Sequence, residues 1–583
     1  MTPRDATIAP SGRSFLGQGE QMALVSAELG PALEEAATEP DAAAAVASGE
    51  VFTRRWVVEL ILDLCGYTED RDLSAMVAIE PACGAGAFLG PMVERLASSA
   101  KLHGRHLDEC GDAIRASDLL DEHVAGSREI VVDQLVAKAA ADSTAAHALA
   151  EVWVSQSDFL LSPQAEWSAD FVVGNPPYIR LEDLPEARLA AYRRSCSTMG
   201  GRADIYIGFF EKGLCALKPG GALGFICADR WMRNAYGARL RGMIADGWST
   251  ETIINMTGVD AFEEEVDAYP SITVFRREDA RRGPLVVDTS PEFGADQAGA
   301  TADLAASRHR GTRAVKSKTF TASRLPTWFK GTGGWPNGSP ERLAMIASLE
   351  ANFPTLEDPA TRTKVGIGVA TGSDRVYIVE QAPGVESERL LPLAMAKDIA
   401  TGAVAWSGHY LVNPWDAGGL VELADWPGLA GYLEPHRDLL AKRHTARSGR
   451  WHKTIDRVIE GLTERPKLYI PDFKDYLFPV LDPGDTYPHH NLYWITSDQW
   501  DLEVLGGLLM SAVANSFIEA YSVRMRGGYL RFQAQYLRRI RLPQIGALDD
   551  AAADALRQAF GARDREAATA ASLDLYGIDE IPA

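Results

Sequence analysis

Cysteine is scarce in this chain: six occur among 583 residues, at positions 65, 83, 110, 196, 215 and 227. None forms a C-x-x-C pair and none follows residue 230, which argues against a disulfide framework or a zinc ribbon and for a reducing compartment. Long apolar runs are missing as well. Nothing approaches the ~18 uninterrupted apolar residues of a membrane span, and the opening MTPRDATIAPSGRS has no apolar core of the signal-peptide kind. A cytoplasmic protein without a membrane partner is expected. Positive charge is also in deficit, with 58 Lys and Arg against 80 Asp and Glu and a formal net charge of -22. That balance disfavours coating nucleic acid by bulk attraction, though it leaves room for a local basic groove on an acidic body. No repeat of fixed period is visible. What is present, 46% hydrophobic and 24% charged residues, is the composition of a globular chain too long for one core.

The pattern along the chain divides it further. Residues 1–49, rich in Ala and Glu, read as a helical or flexible arm. Residues 50–280 alternate strand-like and helix-like segments, beginning with a helix whose apolar side carries Val57, Val58, Ile61, Leu62 and Cys65. Such alternation predicts an α/β domain built on a mostly parallel sheet with helices on both faces. ADIYIGFFEKGLCALKPGG reads as a helix stopped by Pro219 and two glycines. Residues 281–354 lose periodicity and read as a linker and connecting segment. Residues 355–545 form a second region of short strands rich in Tyr and Trp, followed by a helical tail over 546–583. The pair His489–His490 reads as a polar loop, and no metal is expected, because no third ligand stands near in sequence.

EPACGAGAFL, Glu80 to Leu89, follows a strand and opens a helix. Gly84 and Gly86 let the backbone turn sharply and approach a ligand closely. The stretch is neither G-x-x-x-x-G-K nor a full G-x-G-x-x-G. Glu80 would repel a pyrophosphate but suit a cation. S-adenosyl-L-methionine, with its sulfonium, ribose and amino-acid tail, fits that description. Asp118, ending the strand IRASD, can accept from both ribose hydroxyls, and Asp158 in SDFLL can accept from the adenine amine while Phe159 packs on the ring.

FVVGNPPYIR, Phe171 to Arg180, ends a strand in a rigid turn. An adenine exocyclic amine is a poor nucleophile because its lone pair is delocalised. Two oxygen acceptors, the Asn175 side chain and the Pro176 carbonyl, can hold both amine hydrogens and direct the lone pair. Pro176 and Pro177 stiffen the turn. Tyr178 offers a face for the base, worth ~1–3 kcal/mol in single-strand systems. A base within a duplex must be flipped out to reach such a pocket.

With these motifs in order, the chain resembles the γ-class DNA adenine-N6 methyltransferases of restriction–modification systems. The resemblance spans roughly residues 50–545, from VFTRRWVVELI through EPACGAGAFL, SDFL, NPPY, ADIYIGFFEKGLCALKPGGALGFI and WMRNAYGARLRGMI to GGYLRFQAQYLRRIRLP. It implies a Rossmann-like, mostly parallel seven-stranded methyltransferase sheet over 50–280 and an α+β target-recognition domain over 355–545. It implies that Thr53, Glu80, Cys83, Gly84, Gly86, Asp118, Asp158 and Phe159 serve the cofactor. It gives Asn175, Pro176, Pro177 and Tyr178 to catalysis, and Tyr178 and Phe262 to stacking on the target base. Thr53-Arg54 stands where the family usually has Thr-Pro, and Asp118 where it often has Glu.

The stretch from Tyr521 to Ile545 holds Arg524, Arg526, Arg531, Arg538, Arg539 and Arg541 without an acid, interleaved with Tyr529, Phe532 and Tyr536. This suits contact with DNA phosphates. The partner expected is double-stranded DNA, bound by a monomer, with cleavage left to a separate restriction endonuclease or defence protein; the D-x-K in PDFK, Pro471 to Lys474, is read as a chance match. The competing readings are an RNA-base or protein-glutamine methyltransferase, which needs no such C-terminal region, and a catalytically inactive DNA-specificity subunit, which needs neither NPPY nor the cofactor glycines.

Overall fold

The computed structural model describes residues 51–582 apart from 140, 164–167, 265–268, 279–282, 308–313 and 523–528. The arm expected over residues 1–49 lies outside them. The chain divides into two compact units, one ending at Gly334 and one beginning at Trp335.

The first unit is built on one sheet. Strands β1 (Ala78–Glu80), β2 (Ile114–Asp118), β3 (Val154–Gln156), β4 (Ala169–Gly174), β5 (Leu217–Ala228), β6 (Ser249–Asn255) and β7 (Pro270–Arg276) stand in the order 3-2-1-4-5-7-6. All run parallel except β7, which is antiparallel to both β5 and β6. The strand order reverses between β1 and β4, so the loops leaving the carboxyl ends of these two strands part and leave a crevice. The seven strands expected are the core of a ten-stranded sheet. Strand β8 (Leu285–Thr289) adds parallel to β6, and β9 (Val315–Lys316) and β10 (Phe320–Arg324) complete the edge. Residues 281–354, expected as a linker, therefore carry sheet strands, and the boundary between units falls within them. Polar, glycine-rich flanks hide these strands in the sequence. Pairing with β6 buries Leu285, Val286 and Val287, which supplies the missing reason for order.

Helices cover both faces, and β5 records it. Helix α1 (Arg55–Cys65) buries Val57, Val58, Leu60, Ile61, Leu62, Leu64 and Cys65 and ends at Gly66, whose φ of 80° only glycine adopts cheaply. Each such aliphatic side chain contributes ~1.5–3 kcal/mol by leaving water. A Cβ on Gly224 would lie 2.3 Å from the Cys65 sulfur, so α1 lies flat on that face of β5. The neighbouring Leu223 points the other way and meets Gly213 of a second helix, Tyr206–Ala216. That helix stops at Ala216, before Pro219. The KPGG segment belongs instead to the start of β5, where the pairing register with β4 shifts. All six cysteines are free.

The second unit is mixed α and β. One antiparallel sheet has the order Lys364–Ile367, Leu492–Thr496, Lys467–Pro471, Val480–Asp482. Another joins Ile378–Val379, Tyr410–Val412, Leu390–Ala394 and Tyr487–Pro488. Between the first sheet's central and edge strands, Lys467 Nζ and Asp482 Oδ2 form a 3.0 Å ion pair with both side chains fully buried. The expected helical tail contains the helices Asp550–Ala562 and Arg565–Tyr576, and they are packed rather than trailing. A Cβ at Gly506 would lie 2.4 Å from the Phe560 ring, and one at Gly507 2.5 Å from the Leu556 carbonyl oxygen, so helix Leu502–Met510 needs both glycines to take Asp550–Ala562 against it. No single described helix is long and apolar enough to cross a membrane; the apolar pair Leu502–Met510 and Ala512–Tyr521 is bent by 61° and mostly buried.

Candidate active site

A cleft of about 580 Å³, counting its open mouth, lies where the strand order reverses. Its walls come from three segments: Val51 to Thr53 before α1, Glu80 to Phe88 after β1, and Asn175 to Tyr178 after β4, with Asp118 from the end of β2. The positions after β1, β2 and β4 follow from the topology, since parallel strands deliver their carboxyl ends to one edge.

The glycine turn is held by its neighbours. The Cys83 N–H donates to the Ser117 carbonyl at 3.0 Å, the Gly84 N–H to Asp118 Oδ2 at 2.9 Å, and Ser127 Oγ to the Gly84 carbonyl at 3.0 Å. Gly84 and Gly86 have φ of 49° and 79°, and a Cβ on Gly86 would come within 2.8 Å of Ile130 Cδ1. Glu80 is buried, and its Oε2 has no hydrogen-bond partner. Burial, and secondarily the neighbouring Asp118, hold the Glu80 carboxyl well above the usual range. Burial, and then Glu80, likewise push up the Cys83 thiol. A buried carboxyl with one oxygen unpaired beside a glycine turn suits a ligand bearing positive charge, and the residue set therefore fits S-adenosylmethionine. Asp118 also takes the Leu120 N–H at 3.0 Å on Oδ1, with His123 Nδ1 at 3.2 Å. Its carboxylate is thus oriented from two sides.

Asn175 is the clearest piece of local chemistry. Its Nδ2 donates to the Val51 carbonyl at 2.9 Å and to Thr53 Oγ1 at 3.1 Å. A carbonyl can only accept, so the amide must turn its NH2 this way. The Oδ1 is left buried with no partner at all. The Tyr178 hydroxyl is buried and unpaired too. Phe262 arrives by strand pairing: the loop between β6 and β7 bridges Thr53 to Phe262, with the Arg54 N–H on the Ala261 carbonyl at 3.0 Å and the Glu263 N–H on the Phe52 carbonyl at 2.9 Å. This puts the Phe262 and Tyr178 rings 6.5 Å apart at 82°. They meet edge to face.

Thr53, Glu80, Cys83, Gly84, Asp118, Asn175, Pro176, Pro177 and Tyr178 all line this cleft. Gly86 shapes it from the turn, and Phe262 closes against Tyr178. Asp158 and Phe159 are not among the lining residues. Asp158 Oδ1 caps its own turn through the Leu160 and Leu161 N–H groups, at 3.0 and 3.3 Å, and Oδ2 accepts from Tyr192 at 2.8 Å. Phe159 stacks on Phe209 with centroids 5.7 Å apart. Both side chains are buried and are held in place by these partners. The sequence reading also passed over Tyr206, whose ring abuts Tyr178 and whose hydroxyl shares Asp204 Oδ2 with Tyr236 at 2.5 and 3.0 Å. The D-x-Y spacing in ADIY was the available signal.

In the second unit the arginine cluster is largely committed. Arg524 and Arg526 lie outside the described residues. Arg531 pairs with Asp472 at 3.3 Å and covers the Phe473 ring; Arg538 pairs with Glu357. Arg539 pairs with Glu350 at 3.6 Å and covers Tyr521, and Arg541 donates to the Phe353 carbonyl at 3.4 Å. Of the interleaved aromatics, Phe532 and Tyr536 are buried and only Tyr529 is exposed. Among the described residues of this segment, acids distant in sequence pair with Arg531, Arg538 and Arg539.

Residues 125–262 match the family described as Eco57I restriction-modification methylase. The chain is 44% identical over 539 residues to the type II methyltransferase M.PaeR7I of Pseudomonas aeruginosa, covering 91% of this chain and 92% of that protein. It is 42% identical over 546 residues to the type II methyltransferase M.XhoI of Xanthomonas vasicola, with 91% and 97% covered. Among solved structures, the type IIL restriction-modification enzyme MmeI in complex with DNA aligns over 90% of this chain and 74% of its own, at 11% identity and a TM-score of 0.49.

Proposed function

The chain belongs to the type II restriction–modification methyltransferases, and from that premise we propose that it transfers a methyl group from S-adenosylmethionine to the N6 amine of an adenine flipped out of double-stranded DNA. The cofactor, when bound, supplies the electrophilic methyl group. The observation that carries the reading is the Asn175 amide: both ends of its NH2 are engaged, and its oxygen is buried without a partner beside the cleft.

An exocyclic amine needs acceptors for its hydrogens. Asn175 Oδ1 is one; the Pro176 carbonyl, on the adjacent rigid turn, is the second. Because Val51 and Thr53 hold the amide before any base arrives, no reorganisation is needed during the reaction. Glu80 serves the cationic end of the cofactor and Asp118 its hydroxyls, with Thr53, Cys83, Gly84 and Gly86 forming the surrounding wall. Tyr178 stacks on the base and Phe262 walls its edge. The second unit, residues 335–583, supplies target recognition, acting on DNA as a monomer with cleavage left to a separate endonuclease.

Nucleoside analysis of DNA methylated by the purified protein tests the reading. N6-methyldeoxyadenosine is expected. Exclusive N4-methyldeoxycytidine would keep the acceptor argument, since both bases carry an exocyclic amine, and would overturn the choice of adenine.

A further inference from the structure

The second unit brings together three groups that stand far apart in sequence. Asp374, His489 and His490 each place one ligand atom so that all lie within 4.8 Å of one another. His489 Nε2 and Asp374 Oδ2 are 3.6 Å apart. Around a tetrahedral zinc ion with N and O ligands at ~2.0–2.1 Å, ligand atoms sit ~3.4 Å apart. The first pair already has this spacing, and the exposed His490 ring needs only a small turn to join it.

A second observation points to a ligand. His489 is 4% exposed, yet neither ring nitrogen has a hydrogen-bond partner, and Asn491 Oδ1 beside it is buried and unpaired as well. Burying an imidazole with both nitrogens unsatisfied costs ~1–3 kcal/mol per group. The supports are rigid. The His489 N–H donates to the Ala394 carbonyl at 3.0 Å and the His490 N–H to the Val369 carbonyl at 3.1 Å. Gly368 has no room for a Cβ, which would lie 2.2 Å from the His489 carbonyl oxygen. Thr371 Oγ1 donates to Asp374 Oδ1 at 2.5 Å, leaving Oδ2 toward the histidines, the kind of outer contact that fixes a ligating carboxylate.

We propose that Asp374, His489 and His490 bind a zinc ion, with Asn491 or water in the fourth position, and that the ion ties the 489–491 turn to the loop at 371–374. The absence of a third ligand nearby in sequence argued for a polar loop; the fold supplies that ligand from over a hundred residues away.

The test uses the untagged full-length protein. Elemental analysis after gel filtration should find about one zinc per chain. Cobalt in place of zinc should give a visible absorption band, and adding zinc to chelator-treated protein should raise its melting temperature. His489→Ala risks misfolding, so the deciding variants are Asp374→Ala and His490→Ala, both at exposed positions. Each should fold, lose most of the bound zinc and lose the thermal shift. Protein that purifies without zinc and shows no shift on its addition, or variants that keep full zinc content, would overturn the proposal.

Discussion

Replacing Asn175 with alanine separates holding the base from holding the fold. The substitution removes the unpaired Oδ1 and two donated bonds, at 2.9 and 3.1 Å. Losing one preorganised polar partner of a reacting group typically costs ~10²–10³ in kcat, or ~2.7–4 kcal/mol. The Val51 carbonyl and Thr53 hydroxyl lose their donor, a stability cost of ~1–3 kcal/mol at most, reduced where water enters from the cleft. Single-turnover methyl transfer with labelled cofactor measures the first quantity and urea unfolding the second; cofactor affinity, read by calorimetry, should change less than ~10-fold. Asn175→Asp is the informative companion. It retains an oxygen where Oδ1 stands but sets the other against the Val51 carbonyl, so its rate should fall between wild type and alanine. A rate for Asn175→Ala within ~10-fold of wild type, with the fold intact, would refute the argument.

Other outcomes follow from the same geometry. The Glu80 carboxyl is raised by burial and then by Asp118, so the ligand-free fold has its full contribution below the ordinary carboxylate value and loses it as pH rises through the raised value. A cationic ligand favours the ionised form, so cofactor affinity should increase with pH and binding should release a proton; Glu80→Gln should flatten both, and an unchanged slope would remove Glu80 from the ligand. Lys467→Met should destabilise the second unit by ~3–5 kcal/mol, toward the low end because Asp482 keeps the N–H groups of Gly484, Asp485 and Thr486, and thermal unfolding would show it. If Arg538 leaves Glu357 for a phosphate, Arg538→Gln should weaken DNA binding and reduce the salt slope by ~1. An unaltered slope with lowered stability would assign Arg538 to the fold alone.

Legibility in the sequence tracked how local each feature is. The glycine turn, the NPPY turn and the apolar side of α1 are read from neighbouring residues, because backbone rigidity and helical period act within a few positions. The helix stop was misplaced at Pro219, since a strand with an irregular start uses the same residues as a helix end. The strands Leu285–Thr289 and Phe320–Arg324 were invisible, because short edge strands gain order only from a partner. The partner of Asp158 was equally invisible, because Tyr192 lies 34 residues further along the chain.

From the residues alone came the alternation that makes a parallel sheet, the rigid acceptor turn and the acidic pocket behind two glycines, since each depends on bond geometry and near neighbours. Tertiary structure decided which side of the Asn175 amide is spent, because that depends on Val51 and Thr53, and that Arg531, Arg538 and Arg539 are paired, because Asp472, Glu357 and Glu350 lie far away along the chain. Long-range pairing of polar groups follows from how strands and helices are stacked, and no local pattern encodes it.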